Sequence, residues 1–141
     1  MHATPTAIPS LPPALVWTGR VLSSIVVLFL VFDGVMKLMA IPPVVDAFRQ
    51  LGYPLESASV IGYLALACAL LYAIPRTAVL GAIVLTGLLG GAISTHVRVH
   101  DPLFTHTLFG VYLGVMAWGG LWLRDARLRA IIPLRRDLFR T

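Results

Sequence analysis

SASVIGYLALACALLYAIP (Ser57 to Pro75) and TAVLGAIVLTGLLGGAIST (Thr77 to Thr95) are two charge-free runs of 19 residues with Arg76 alone between them. A helix rises about 1.5 Å per residue, so each run is close to the ~20 residues that cross a hydrocarbon core of roughly 30 Å. A soluble helix of that length would carry a charged face, and neither run has one. Further along, Pro102 to Leu123 is a third run, 22 residues with no Asp, Glu, Lys or Arg and with His106 as its one histidine. All three read as transmembrane helices.

The first apolar region is less clean. Its uninterrupted core, Val21 to Phe32, is 12 residues long between Arg20 and Asp33, and it spans only if Ala14 to Ala40 forms one helix that includes Asp33 and Lys37. A cleaved signal peptide is the competing reading. Against it, Met1 to Pro13 has no Lys or Arg, Leu38 is poorly placed for a small-residue cleavage motif, and two charges follow the apolar core. A retained first helix is expected.

Composition agrees with lipid as the solvent. Of 141 residues 58% are hydrophobic and 12% charged, where a soluble domain is about one-quarter charged, and the mean hydropathy is +0.88. A disordered chain or one that wraps nucleic acid is excluded. The single cysteine, Cys68, forbids an intrachain disulfide and paired-thiol chemistry, and in the middle of a span it reads as a small packing residue.

All ten prolines fall outside the three clean helix interiors and mark the ends of four helices. Between the first two spans, Val44, Val45, Phe48 and Leu51 recur at helical spacing between Pro42-Pro43 and Gly52-Tyr53-Pro54, which predicts a short amphipathic interfacial helix. The expected organisation is therefore an all-α, four-helix transmembrane bundle. It has a Pro-rich cytoplasmic segment 1–13, a membrane domain 14–123 (spans about 14–40, 55–75, 77–97 and 102–123) and an Arg-rich cytoplasmic tail 124–141. Arg20, Arg76, Arg124, Arg127, Arg129, Arg135, Arg136 and Arg140 fall on one side, and Lys37, Arg49 and Arg98 on the other. The positive-inside rule then puts both termini in the cytoplasm of a bacterial inner membrane, with the tail against anionic lipid head groups. Trp17 and Trp122 fit a cytoplasmic aromatic belt, and Tyr53 an outer one. Gly87/Gly91 and Gly110/Gly114 place small residues four apart, a spacing that predicts close packing of the third and fourth spans or a homo-oligomer contact.

With that orientation the remaining ionisable side chains gather at the outer end. Asp33 and Lys37 share one helical face, Glu56 opens the second span, Thr95, His96 and His100 end the third, and Asp101, Thr105 and His106 begin the fourth. Charges in hydrocarbon cost roughly 2.5–3.5 kcal/mol each on insertion scales, so Asp33 and Lys37 are expected to face the bundle interior. Two readings follow. The charges pair and hold helix register, or Asp33, Lys37, Glu56, Thr95, His96 and His106 line a polar pocket for a small ligand, a quinone head group or a proton relay. On ligand count alone, His96, His100 and His106 also admit a transition metal or haem.

The chain resembles the DoxX-like family of small four-helix bacterial membrane proteins. The resemblance rests on Gly34-Val-Met-Lys37-Leu38, Leu51-Gly-Tyr-Pro54, Ile74-Pro-Arg-Thr77, Gly90-Gly-Ala-Ile-Ser-Thr-His96-Val-Arg98 and Asp101-Pro-Leu103. It implies the bundle fold and an accessory role at the membrane in a redox or quinone-linked complex, the name deriving from a thiosulfate:quinone oxidoreductase. Against the family pattern this sequence has Ala65 where many relatives carry Glu, and His100 where they carry Gly. A different class of function, a non-catalytic structural subunit or a small-solute or proton-coupled carrier, is compatible with the same residues.

Overall fold

A computed structural model of the chain describes residues 11–132. Most of the Pro-rich segment, and Arg135, Arg136 and Arg140 of the tail, lie outside the described residues. The elements are α1 (Pro13–Leu38), α2 (Pro42–Gln50), α3 (Glu56–Ala73), α4 (Ala78–Arg98), a π-helical turn (Leu103–Thr107), α5 (Phe109–Arg124) and α6 (Ala126–Ile131). Helices α1, α3 and α4 are long and apolar enough to cross a membrane. The charge-free run from Pro102 divides into the π-helical turn and α5, which together form the fourth helix of the bundle.

Local chemistry sets the boundaries. Pro13 and Pro42 occupy the first helical positions of α1 and α2, where a missing N–H is harmless and φ is already helical. Pro75 stops α3, because the residue before a proline is pushed out of the α region, and Ile74 is extended at ψ 120°. Thr77 makes the reversal into α4 tight by donating its hydroxyl to the Leu71 carbonyl (2.8 Å), one of those α3 leaves unpaired at its end. Asp125 caps α6, accepting from the Arg127 and Leu128 N–H groups.

The four long elements form a ring. α1 packs on α3 and α5, α4 packs on the same two, and α1 and α4 occupy opposite corners. Large apolar side chains cover the outside, with Leu28 and Val60 69% and 68% exposed. In water such a surface would drive aggregation, and against acyl chains it has a matched solvent. This is a multi-pass membrane protein in contact with the bilayer.

Small residues decide where backbones meet. A Cβ at Gly19 would lie 2.8 Å from the Gly120 carbonyl oxygen, and one at Gly34 would lie 3.0 Å from that of Gly62, so α1 is drawn onto α5 at one end and onto α3 at the other. The glycine pairs read from the sequence are used differently. Gly110 does sit tightly under Ile93 (2.8 Å), but a Cβ at Gly87 or Gly91 would meet nothing within 4 Å. Those two glycines make a void rather than a contact.

At the Arg76 end, register is set by buried hydrogen bonds. Tyr72, fully buried, donates its hydroxyl to the Ala117 carbonyl (2.6 Å) and accepts from Ser23 (3.1 Å), tying α3 to α5 and α1. Arg124 donates to the Tyr72 carbonyl (3.1 Å) with its guanidinium 5.2 Å from the ring centre. Cys68 is buried in the same core.

Candidate functional site

At the opposite end the ring is not filled. A cavity of about 770 Å³ lies between α1 and α4. Phe29, Asp33 and Lys37 line it from α1 at four-residue intervals, and Val84, Gly87, Gly91 and Thr95 do so from α4, so one stripe of each helix faces it. Its body is apolar. The polar groups Asp33, Lys37, Thr95, His96 and His106 gather on its wall among residues that continue into α2.

Five of the six side chains expected in a pocket are thus on one cavity, and Glu56, exposed at the start of α3, is not on its wall. Asp33 and Lys37 form an ion pair within α1, both partly buried. Among the described residues neither makes a hydrogen bond to His96, Glu56 or another helix, so there the pair does not tie helices together. The buried Tyr72 hydroxyl has that task instead.

Helix α2 closes over the cavity. Val44, Ala47, Phe48 and Leu51 line it, while Asp46, Arg49 and Gln50 are exposed and off its wall. The helix lies between two left-handed residues, Ala40 (φ 46°) and Gly52 (φ 72°). Gly52 builds a Schellman end: its N–H reaches the Arg49 carbonyl, and the Tyr53 N–H reaches that of Phe48. This motif pairs the side chains on either side of the turn, and Tyr53 accordingly lies on Phe48 with ring centres 6.2 Å apart. From there Tyr53 donates its hydroxyl to Thr95 (3.0 Å), whose own proton goes to the Gly91 carbonyl. Arg98 completes the attachment, donating to the Leu51 carbonyl (2.6 Å) with its guanidinium 5.7 Å from the Tyr53 ring. Tyr53, which the sequence suggests is a belt residue, joins α2 to α4.

The same motif ends α4. His100 takes the left-handed position (φ 59°), its N–H bonds the Val97 carbonyl, and the Asp101 N–H bonds that of His96. The two residues thus brought together are His96 and Asp101, with Nδ1 2.6 Å from Oδ2. Sequence reasoning places Asp101 at the right level but omits it from the pocket set, because the turn that folds it back is usually marked by Gly. Replacing His100 by Gly should relieve the strained φ and stabilise the fold by about 1 kcal/mol, visible as a raised unfolding midpoint in detergent.

Pro102 and the π-helical turn then present His106 to the cavity. The extra residue in that turn shifts the face of the helix, a device common at functional sites. The His106 and His96 rings are 5.9 Å apart, and Thr105 Oγ1 holds His106 Nδ1 at 2.8 Å. His100 is exposed and off the cavity wall, and among the described residues no three His, Cys, Asp or Glu side chains converge as a metal site requires. The three-imidazole set is not assembled.

No curated protein and no solved structure matches the chain. The sequence pattern of the DoxX-like family matches residues 21–120, a span that holds every residue lining the cavity, and the chain belongs to the DoxX-like family.

Proposed function

We propose that this protein is a small membrane component of a redox or quinone-linked system that binds an amphipathic ligand of the quinone class in the cavity between α1 and α4. The observation that carries the reading is the cavity's composition, an apolar body with Asp33, Lys37, Thr95, His96 and His106 on its wall. Its volume of about 770 Å³ falls within the roughly 300–1,000 Å³ of small-molecule sites. The lining also fits the group. Phe29 and Phe109, with ring centres 5.1 Å apart, offer aromatic surface to a planar head. Lys37 supplies a charged donor for a carbonyl or hydroxyl oxygen, Asp33 holds that ammonium in place, and His96 carries protons to and from the head group. A quinone in this site would supply two-electron carrier chemistry, and the chain would supply binding, orientation and proton handling.

The arginine distribution supports a bacterial inner-membrane orientation with both termini in the cytoplasm and the cavity near the outer face. Anionic lipid head groups then meet exposed Arg127 and the arginines of the tail, and a larger membrane redox complex or a homo-oligomer would complete the electron path. The alternative of a structural subunit whose charges only fix register has less support, because the Asp33 to Lys37 pair stays within one helix.

The test is to purify the protein in mild detergent, record oxidised and reduced absorption spectra and identify co-extracted small molecules by mass spectrometry. A stoichiometric quinone-class lipid is expected, and a colourless protein carrying only phospholipid overturns the reading. The double variant Asp33→Asn, Lys37→Met removes both charges together and leaves no lone ion in the wall. It should fold normally and lose about 10-fold or more of its bound ligand, as expected when a charged hydrogen bond is removed.

A further inference from the structure

The His96 and Asp101 pair specifies what the cavity recognises, an inference that rests on the cavity being the ligand site. A carboxylate only accepts hydrogen bonds, so in the neutral ring the proton is on His96 Nδ1, directed at Asp101 Oδ2 2.6 Å away. Nε2 of the same ring is then a bare acceptor. The pairing is built in. The Schellman end of α4 fixes Asp101 against His96 through the backbone, and both side chains are mostly buried, 25% exposed for His96 and 15% for Asp101. Lys37, elsewhere on the same wall, can only donate.

A ligand that satisfies both must bring an oxygen that accepts from Lys37 and a hydroxyl that donates to His96 Nε2. A carbonyl-only head satisfies the first and leaves the second unpaired in a largely apolar site. The geometry points to Asp101 as a positioning residue that holds His96 as a hydrogen-bond acceptor, so that the cavity selects the hydroxyl-bearing, hydroquinone form of its ligand over the dicarbonyl form. Asp101 acts through His96 and does not line the cavity itself. This gives the site a redox-state preference, because oxidation removes the ligand's donor.

Three probes of one shape decide it: a decyl-substituted benzohydroquinone, its benzoquinone and its dimethyl ether, titrated anaerobically by calorimetry into the intact, delipidated protein in detergent. The hydroquinone should bind roughly 10-fold or more tightly than the other two, the ratio set by leaving Nε2 without a donor once the ligand head covers it. In Asp101→Leu nothing accepts from Nδ1, the neutral ring is free to carry its proton on Nε2, and the preference should vanish or reverse in favour of the quinone. Nitrogen-15 NMR of histidine-labelled protein reads the tautomer directly and should show neutral His96 protonated at Nδ1 in the native chain. Equal or tighter binding of the quinone by the native protein, or an Nε2-protonated ring, overturns the selectivity. A preference unchanged in a folded Asp101→Leu overturns the positioning role. Absence of binding by all three probes overturns the cavity reading and this inference with it. Should Asp101→Leu fail to fold, the native ranking and the NMR tautomer still decide the selectivity.

Discussion

Gly81→Ala is expected to destroy the fold, although it adds one methyl group to a helix and improves that helix's intrinsic propensity. A Cβ at Gly81 would lie 2.4 Å from the Tyr72 nitrogen, 2.7 Å from its Cα and 2.8 Å from the Leu71 carbonyl carbon. These are backbone atoms, and no rotamer change moves them aside. α4 would have to leave α3 at the point where the Thr77 hydroxyl holds the reversal closed on the Leu71 carbonyl. Moving the backbone there also displaces Tyr72, whose hydroxyl joins α1, α3 and α5. Ordinary overpacking costs about 1–3 kcal/mol, and a backbone clash coupled to a buried hydrogen-bond centre belongs at or above the top of that range. The control is Gly90→Ala, on the same helix, where a Cβ meets nothing within 4 Å and the change should be neutral or favourable by up to about 1 kcal/mol. Detergent thermal unfolding and size-exclusion profiles read the difference. A Gly81→Ala protein as stable as the parent would show that α3 and α4 do not approach as described.

That contrast also shows where the sequence is legible. Lipid imposes one requirement on every residue of a span, the absence of unpaired charge, so the runs 57–75 and 77–95 declare themselves by composition. Prolines declare helix starts and stops because ring closure acts locally, and Pro42, Pro75 and Pro102 all border elements as their chemistry demands. Glycine spacing does not carry the same information. Four-residue repeats permit close approach, yet Gly87 and Gly91 open a cavity and only Gly110 of the other pair packs tightly, while Gly19, Gly34, Gly62, Gly81 and Gly120, which form no such repeat, make the remaining close contacts. Whether a missing side chain admits a neighbour or leaves space depends on which helix lies opposite, and that is a property of the whole ring. The polar end was legible as a gathering of residue types. Asp33, Lys37, Thr95, His96 and His106 reach one wall as their helical faces require, whereas Asp101 joins His96 only through a left-handed His100 that lacks the usual glycine mark. The π-helical turn has no sequence signature, since Leu103-Phe-Thr-His-Thr107 would suit an α-helix equally well.

The void at Gly91 offers the sharpest separation of ligand binding from folding. Gly91→Leu should leave the bundle intact and abolish retention of the small molecule. Gly91 lies on the α4 stripe one helical turn below Thr95, and among the described residues no heavy atom stands within 4 Å of its would-be Cβ, so the new side chain has room to leave the helix and extends into the cavity. Leucine is also a better helix former than glycine, by somewhat under 1 kcal/mol per residue. The added side chain removes on the order of 80–100 Å³ of room beside the polar wall, and a rigid planar head cannot share space with it, so bound ligand should fall by about 10-fold or more, the overpacking cost now falling on the ligand. Gly90→Leu is the control of equal bulk, one residue along and off the cavity wall. If Gly91→Leu keeps both its unfolding midpoint and its full ligand content, the ligand resides elsewhere. Should the register reading be correct, neither leucine would alter ligand content, because helix register here rests on Tyr72 and on the α1 glycines, none of which either substitution touches.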